Sequence, residues 1–157
     1  MRFSKLTAML LAAVSGCGVE DRMPAGLSLG ATVGAARPLI AKACARTDES
    51  RHTGANAAPA RDEQIQINCY EIDYAGGRRK AEFMFNDGSL AFVWVLIDSA
   101  DMPMAKEFLE KRFGSVDRQI AGYQIYRSGT AALRRKPPEI LIATPQMLKE
   151  ITALDEK

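Results

Sequence analysis

The chain carries a single histidine, His52, and no long run of apolar residues. The first scarcity narrows catalysis, because a serine or cysteine nucleophile needs a positioned base, and one histidine in a polar stretch is a poor one. No nucleophile-elbow pattern occurs either. Metal chemistry is narrowed in the same way: His52 with Asp48 and Glu49 lacks the spaced multi-ligand pattern of a structural zinc site. Neither a metal nor another cofactor is expected. The second scarcity argues against a spanning helix, which needs about 18 or more apolar residues, whereas the N-terminal run Leu6 to Val14 falls well short.

Charge of one sign is lacking too. Lys and Arg total 21 against 19 Asp and Glu, and Arg2 and Lys5 lie in the N-terminal segment, so the remainder is neutral. Composition therefore gives no support to a nucleic-acid or anionic-membrane partner.

What is present begins with that segment. Met1 to Lys5 is a short basic region and Leu6 to Val14 an apolar core, the pattern of an export signal. Val14-Ser15-Gly16-Cys17 then resembles the lipobox of bacterial lipoprotein precursors, with Val14 in place of the commoner Leu. The resemblance implies loss of residues 1–16 and acylation of Cys17, palmitate included. Gly18 after the cysteine resembles the outer-membrane sorting choice of that class, with the domain facing the periplasm. The alternative is ordinary signal cleavage, leaving a soluble periplasmic protein with a free Cys17. Residues 17–28 read as a mobile tether and 29–157 as one domain, a length that buries roughly two-thirds of its unfolded surface. Export leaves Cys44 and Cys69 as an even pair in an oxidising compartment, where a disulfide is the expected state. A catalytic thiol would need a base that the sequence does not supply.

The organising stretch is a hairpin from Lys80 to Asp98. Asp87-Gly88 suits a two-residue type I′ turn, whose central residues both need positive φ. That turn sets an expected register in which Asn86 faces Ser89, Phe85 faces Leu90, Phe83 faces Phe92 and Ala81 faces Trp94. Its second strand is apolar on both sides, so it should lie inside a sheet covered on both faces.

Before the hairpin, Thr32 is placed to cap a helix in which Val33, Ala36, Ile40 and Cys44 recur, with Pro38 either kinking it or delaying its start. Arg46 to Glu63 has no apolar pattern and reads as an exposed loop. Gln64 to Ile72 alternates as a strand, with Ile65, Ile67 and Cys69 on one side. After the hairpin, Ser99 or Asp101 caps a helix with Met104, Phe108, Leu109 and Phe113 as its buried stripe, ended by Gly114. Strands follow over Ile120–Tyr126, Ala131–Arg134 and Glu139–Ala143. Thr144-Pro145 opens a last helix with Met147, Leu148, Ile151 and Leu154 on one face.

The expected fold class is α+β, a mostly antiparallel sheet with helices packed on one side, built as a possible tandem helix-plus-three-strand repeat. Such a tandem arrangement resembles the fold of secreted β-lactamase inhibitor proteins and, for one unit, of small lipoproteins that assist outer-membrane barrel assembly. Leu29-Gly30-Ala31-Thr32 is similar to the helix start of the latter. The run Cys69 to Tyr74 together with Arg79 to Phe83 resembles a family of uncharacterised proteobacterial envelope proteins, which implies no activity.

Four groups of side chains are candidates for function. Gly76-Gly77-Arg78-Arg79-Lys80 could present donors to a phosphate or carboxylate, although a hairpin start with basic edge residues accounts for it as well. With Arg134 and Arg135, Arg78 and Arg79 form a candidate anion-binding surface; two solvated turns are the plainer account. Glu71, Asp73 and Glu82 are candidates for paired acid/base work on a glycan. Tyr70, Tyr74, Tyr123 and Tyr126 would offer a contact face if exposed. The expected function is non-catalytic: binding or scaffolding another envelope protein or glycan through the sheet face or the 46–63 loop. The alternatives are a glycan-acting hydrolase using sheet carboxylates, and a small-ligand carrier with an apolar cavity between helix and sheet.

Overall fold

The computed structural model describes residues 23–120 and 122–154. The segment expected to be an export signal, and Cys17 after it, lie outside the described residues. One antiparallel sheet of eight strands, in the order β1-β2-β3-β4-β8-β7-β6-β5, carries three helices. In chain order these are α1 (Val33–Ala43), β1 (Arg46–Thr53), β2 (Glu63–Tyr74), β3 (Gly77–Asn86), β4 (Ser89–Leu96), α2 (Met102–Phe113), β5 (Val116–Ile120), β6 (Tyr123–Tyr126), β7 (Ala131–Arg135), β8 (Pro138–Ala143) and α3 (Pro145–Leu154). The class is α+β, as expected.

The repeat unit is larger than the sequence suggests. Each half is a helix followed by four strands, not three, and the halves join where β4 pairs with β8. The strand missed in each half is its first. Arg46–Thr53, expected as a loop, is β1; the strand expected over Ile120–Tyr126 forms as β6 over Tyr123–Tyr126, and the strand missed before it is β5. Both missed strands are the outer edges of the sheet. A strand paired on one side and largely in water has no apolar period to betray it. Its charged side chains also discourage pairing with another chain.

The hairpin turn forms as expected, with φ 50° at Asp87 and 84° at Gly88. The register beyond it is corrected by one residue. A bulge at Ala91 sets Met84 against Phe92, Phe83 against Val93, Glu82 against Trp94 and Ala81 against Val95. The extra residue sorts the strand. Phe83, Phe85, Val93 and Val95 face α1 and α2, while Met84, Phe92 and Trp94 face the other way. A second bulge, between Cys69 and Ile72, keeps Ile72 and Tyr74 on the same side as Ile65 and Ile67.

Two apolar layers result. The larger lies under α1 and α2, through Val33, Ala36, Ile40, Ala105, Leu109 and Phe113. The expectation of helices on one side holds for these two. α3 packs on the opposite face, where Leu148, with Met147 and Ile151, covers Leu141, Ala143 and Ile125. Thr32 caps α1 by accepting from the Ala35 N–H, and Thr144 accepts from the Met147 N–H at the start of α3. Pro38 sits inside α1; it and Gly34, whose carbonyl loses its donor, are both exposed, so water can replace the missing bond. In α2 the buried stripe is Ala105, Leu109 and Phe113, whereas Met104 stays 39% exposed.

Met23 and Leu27, expected as part of the tether, are buried in the larger layer, and Pro24 is buried beside them. Cys44, at the end of α1, and Cys69, in β2, form the expected disulfide across a Cα–Cα distance of 5.5 Å.

Candidate functional site

The second face of the sheet is only half covered. α3 lies over β6, β7 and β8, and among the described residues no helix covers the same face of β1, β2 and β3, where Gln66, Asn68, Tyr70, Lys80 and Glu82 are half-buried and only Gln64 and Met84 are buried. The reason is legible in β2, whose alternate residues Gln64, Gln66, Asn68 and Tyr70 are polar opposite a wholly apolar side.

Strand register lines these residues up across the sheet. Asp48 faces Asn68, Asn68 faces Glu82, and Glu82 faces Trp94. The next row continues through Leu96, Glu139, Arg134 and Tyr123. Neighbours in this array bond to one another. Asp48 accepts from Asn68 Nδ2 at 2.6 Å and from the Tyr70 hydroxyl at 2.8 Å, while Gln66 donates to Asn68 Oδ1 at 2.9 Å. Those two donors, Asn68 first, hold the Asp48 carboxyl below the usual aspartate range. Lys80 donates to Glu82 at 2.6 Å, which raises the ammonium's pKa.

Two aromatic rings stand in the array, and each stacks a guanidinium. The Arg46 carbon is 3.7 Å from the Tyr70 ring centre, and the Arg134 carbon is 4.7 Å from that of Trp94. Arg134 also bridges Glu139 and donates to the Tyr123 hydroxyl. The surface is thus aromatic, amide and paired charge, held in place before any partner arrives. Sequence reasoning did not assemble this site, because Asp48 lies on the edge strand that it read as loop.

The candidate anion-binding arginines do not converge. Arg79 turns toward α2, almost wholly buried, and donates to Asp101 at 2.6 Å. Arg78 pairs with Glu71 and Asp73, Arg134 is held on the opposite face from Arg79, and Arg135 is exposed. Alternation along β3 and β7 is the cause, since consecutive strand residues point to opposite faces. Gly76-Gly77 is accounted for by packing. Gly76 takes φ 78° in the β2–β3 turn, and the Arg79 guanidinium lies over Gly77.

Of the candidate carboxylates, Glu71 and Asp73 are brought together on one guanidinium, and Glu82 stands apart from them. Glu71 and Asp73 engage Arg78 on the turn, whereas Glu82 bonds Lys80 farther along β3. Of the four tyrosines, Tyr74, Tyr123 and Tyr126 are buried and Tyr70 is half-buried. Among the described residues no three His, Cys, Asp or Glu side chains are grouped to hold a metal ion. A cleft of about 780 Å³ opens at a corner between the β2–β3 turn and α2. Comparison with protein-family models, with curated proteins and with solved structures returns no match.

Proposed function

We propose that this chain is a non-catalytic envelope lipoprotein, anchored through Cys17, whose open sheet face binds another envelope protein. The observation that carries the binding reading is the ordered array Asp48, Asn68, Glu82 and Trp94, with Tyr70 and Arg134, on a face that no described helix covers over β1 to β3. Protein interfaces favour such content: Tyr, Trp and Arg at fixed rotamers lose little entropy on contact and anchor the energetic centre. The array's charges are already paired within the sheet, so recognition rests on shape and hydrogen bonding more than on steering. A glycan partner is less well served, because a sugar stacks on an open ring face and one face of both Tyr70 and Trp94 already carries a guanidinium.

The test is capture from detergent-solubilised envelope with the tagged mature chain, its Cys17→Ser form, and the open-face variant Trp94→Ala with Glu82→Lys. Recovery of one stoichiometric protein by the first two, and its loss with the third, supports the reading. Equal recovery by all three sinks it, and binding to sedimented cell-wall glycan alone would transfer the face to a carbohydrate. Anchoring is read separately, by incorporation of labelled palmitate that Cys17→Ser abolishes.

A further inference from the structure

The two edges of the sheet are built differently. β5 is short, and its register with β6 shifts between Val116 and Arg118, so that edge is bulged in the way protected edges often are. β1 runs for eight residues against β2 without a register shift and holds neither proline nor glycine. Among the described residues no strand pairs with its outer side. A regular row of backbone N–H and C=O groups is therefore open along the whole of β1.

The charges on β1 deter an arbitrary strand, but one register makes them complementary. When two copies of a strand pair antiparallel about a two-fold axis, directly opposite residues share a face of the sheet, so the axis passes through a residue. An axis at Asp48, Glu49 or Arg51 sets that charge against its own copy, and one farther toward either end pairs only a strand tip. An axis at Ser50 does neither. On the α1 side it sets Glu49 against Arg51 of the second copy, and Arg51 against Glu49. On the open side Asp48 and His52 face each other in the same reciprocal way.

We propose that the chain self-associates through β1, two copies joining their sheets edge to edge about a two-fold axis at Ser50. Existing side-chain bonds favour this register. Arg37 donates to both Glu49 oxygens at 2.9 and 2.8 Å, and Arg51 donates to Glu63 at 2.6 Å. Across the axis these pairs fall in line as Arg37, Glu49, Arg51 and Glu63, alternating in sign. A carboxylate has lone pairs for a further donor and a guanidinium has N–H groups to spare, so the contact extends each pair without displacing it. Main-chain hydrogen bonds supply the attraction and the charge pattern selects the register. The axis stands perpendicular to the sheet, so both open faces emerge on one side, with the two Asp48 arrays next to each other. The contact needs neither the anchor nor a partner on the open face.

The test uses the chain from residue 17 onward with Cys17→Ser and the Cys44–Cys69 bond intact, in sedimentation up to about 500 µM. The parent should form a dimer whose share rises with concentration. Glu49→Arg and Arg51→Glu each set like charge against like across the axis, and each should weaken the dimer at least about fivefold. Mixing the two variants one to one sets opposite charges in register again, and the mixed dimer should return to within about twofold of the parent. Ser50→Cys should cross-link to itself under mild oxidation, and faster than Glu49→Cys, whose copies are opposite only if the axis moves by one residue. If either charge variant does not fold, the two cross-linking rates decide. A parent that stays monomeric, a dimer indifferent to both charge variants, a mixture of folded variants that does not recover, or faster cross-linking through Glu49→Cys overturns the proposal.

Discussion

The Arg79 guanidinium lies across Gly77 so closely that a Cβ at Gly77 would sit 2.6 Å from Nη2. Asp101 holds that guanidinium from the start of α2, which ties the β2–β3 turn to the helix behind it. Gly77→Ala is therefore expected to cost about 1–3 kcal/mol, since the buried arginine has to give way and its ion pair with it. Chemical denaturation measures this directly. Gly77→Ala combined with Arg79→Leu should lose less than Gly77→Ala alone; an unchanged midpoint for Gly77→Ala would mean that the guanidinium moves aside freely.

Asp87, in the organising turn, accepts from the backbone N–H groups of Arg61, Asp62 and Glu63 at 2.9–3.0 Å. Those bonds hold its carboxyl below the usual aspartate range. A carboxyl depressed in the folded state stabilises it fully above the unfolded value of about 3.9, and the contribution is lost as pH falls toward the folded value. Asp87→Asn should be less stable at pH 7 but should lose less between pH 7 and pH 3 than the parent. Parallel acid melts of the two proteins would contradict the assignment.

Tyr126 is fully buried, and its hydroxyl has no hydrogen-bond partner among the described residues. Burial, with a lesser contribution from Glu110, pushes the phenol up to about 12. Tyr126→Phe removes an unsatisfied polar group at little change of shape, so stability should stay level or rise by up to about 1 kcal/mol. A phenol raised in the folded state contributes stability below its unfolded value of about 10, lost as pH climbs through 12. The variant should accordingly lose less than the parent between pH 9 and pH 12. A fall in stability at pH 7 of more than about 1 kcal/mol would show that the hydroxyl is engaged.

The Cys44–Cys69 bond closes a loop of 25 residues that contains the whole of β1 and its turn. Replacing both cysteines by alanine should lower stability by about 3 kcal/mol, chiefly by releasing the unfolded chain. The check is whether reductant shifts the unfolding midpoint of the parent and leaves the double variant untouched.

Sequence reasoning recovered what buried apolar residues dictate. The Asp87-Gly88 turn, the inward side of β2, the Thr32 and Thr144 caps and the disulfide partner all follow from local chemistry. It missed β1 and β5 because edge strands such as Arg46-Thr47-Asp48-Glu49 bury one side at most. It missed the bulge at Ala91 for the opposite reason. Leu90 to Leu96 is apolar on both sides, so sliding the register by one residue leaves the hydrophobic pattern equally satisfied. The candidate site was half visible: the polar side of β2 announced an open face, but its neighbours across β1 and β4 depend on those two missed features.

The seam between the halves sets the order in which the protein is completed. Every strand pairing but one joins strands consecutive in the chain, and the exception is β4 with β8, where Trp94 meets Leu141. The first meander, β1 to β4, can close by local contacts as soon as it is made. Its last strand then waits with a bare, apolar edge until the end of the chain supplies β8. That interval is when the molecule is stickiest, and a helper that shields β4 during it would act on a species that no longer exists once β8 has docked.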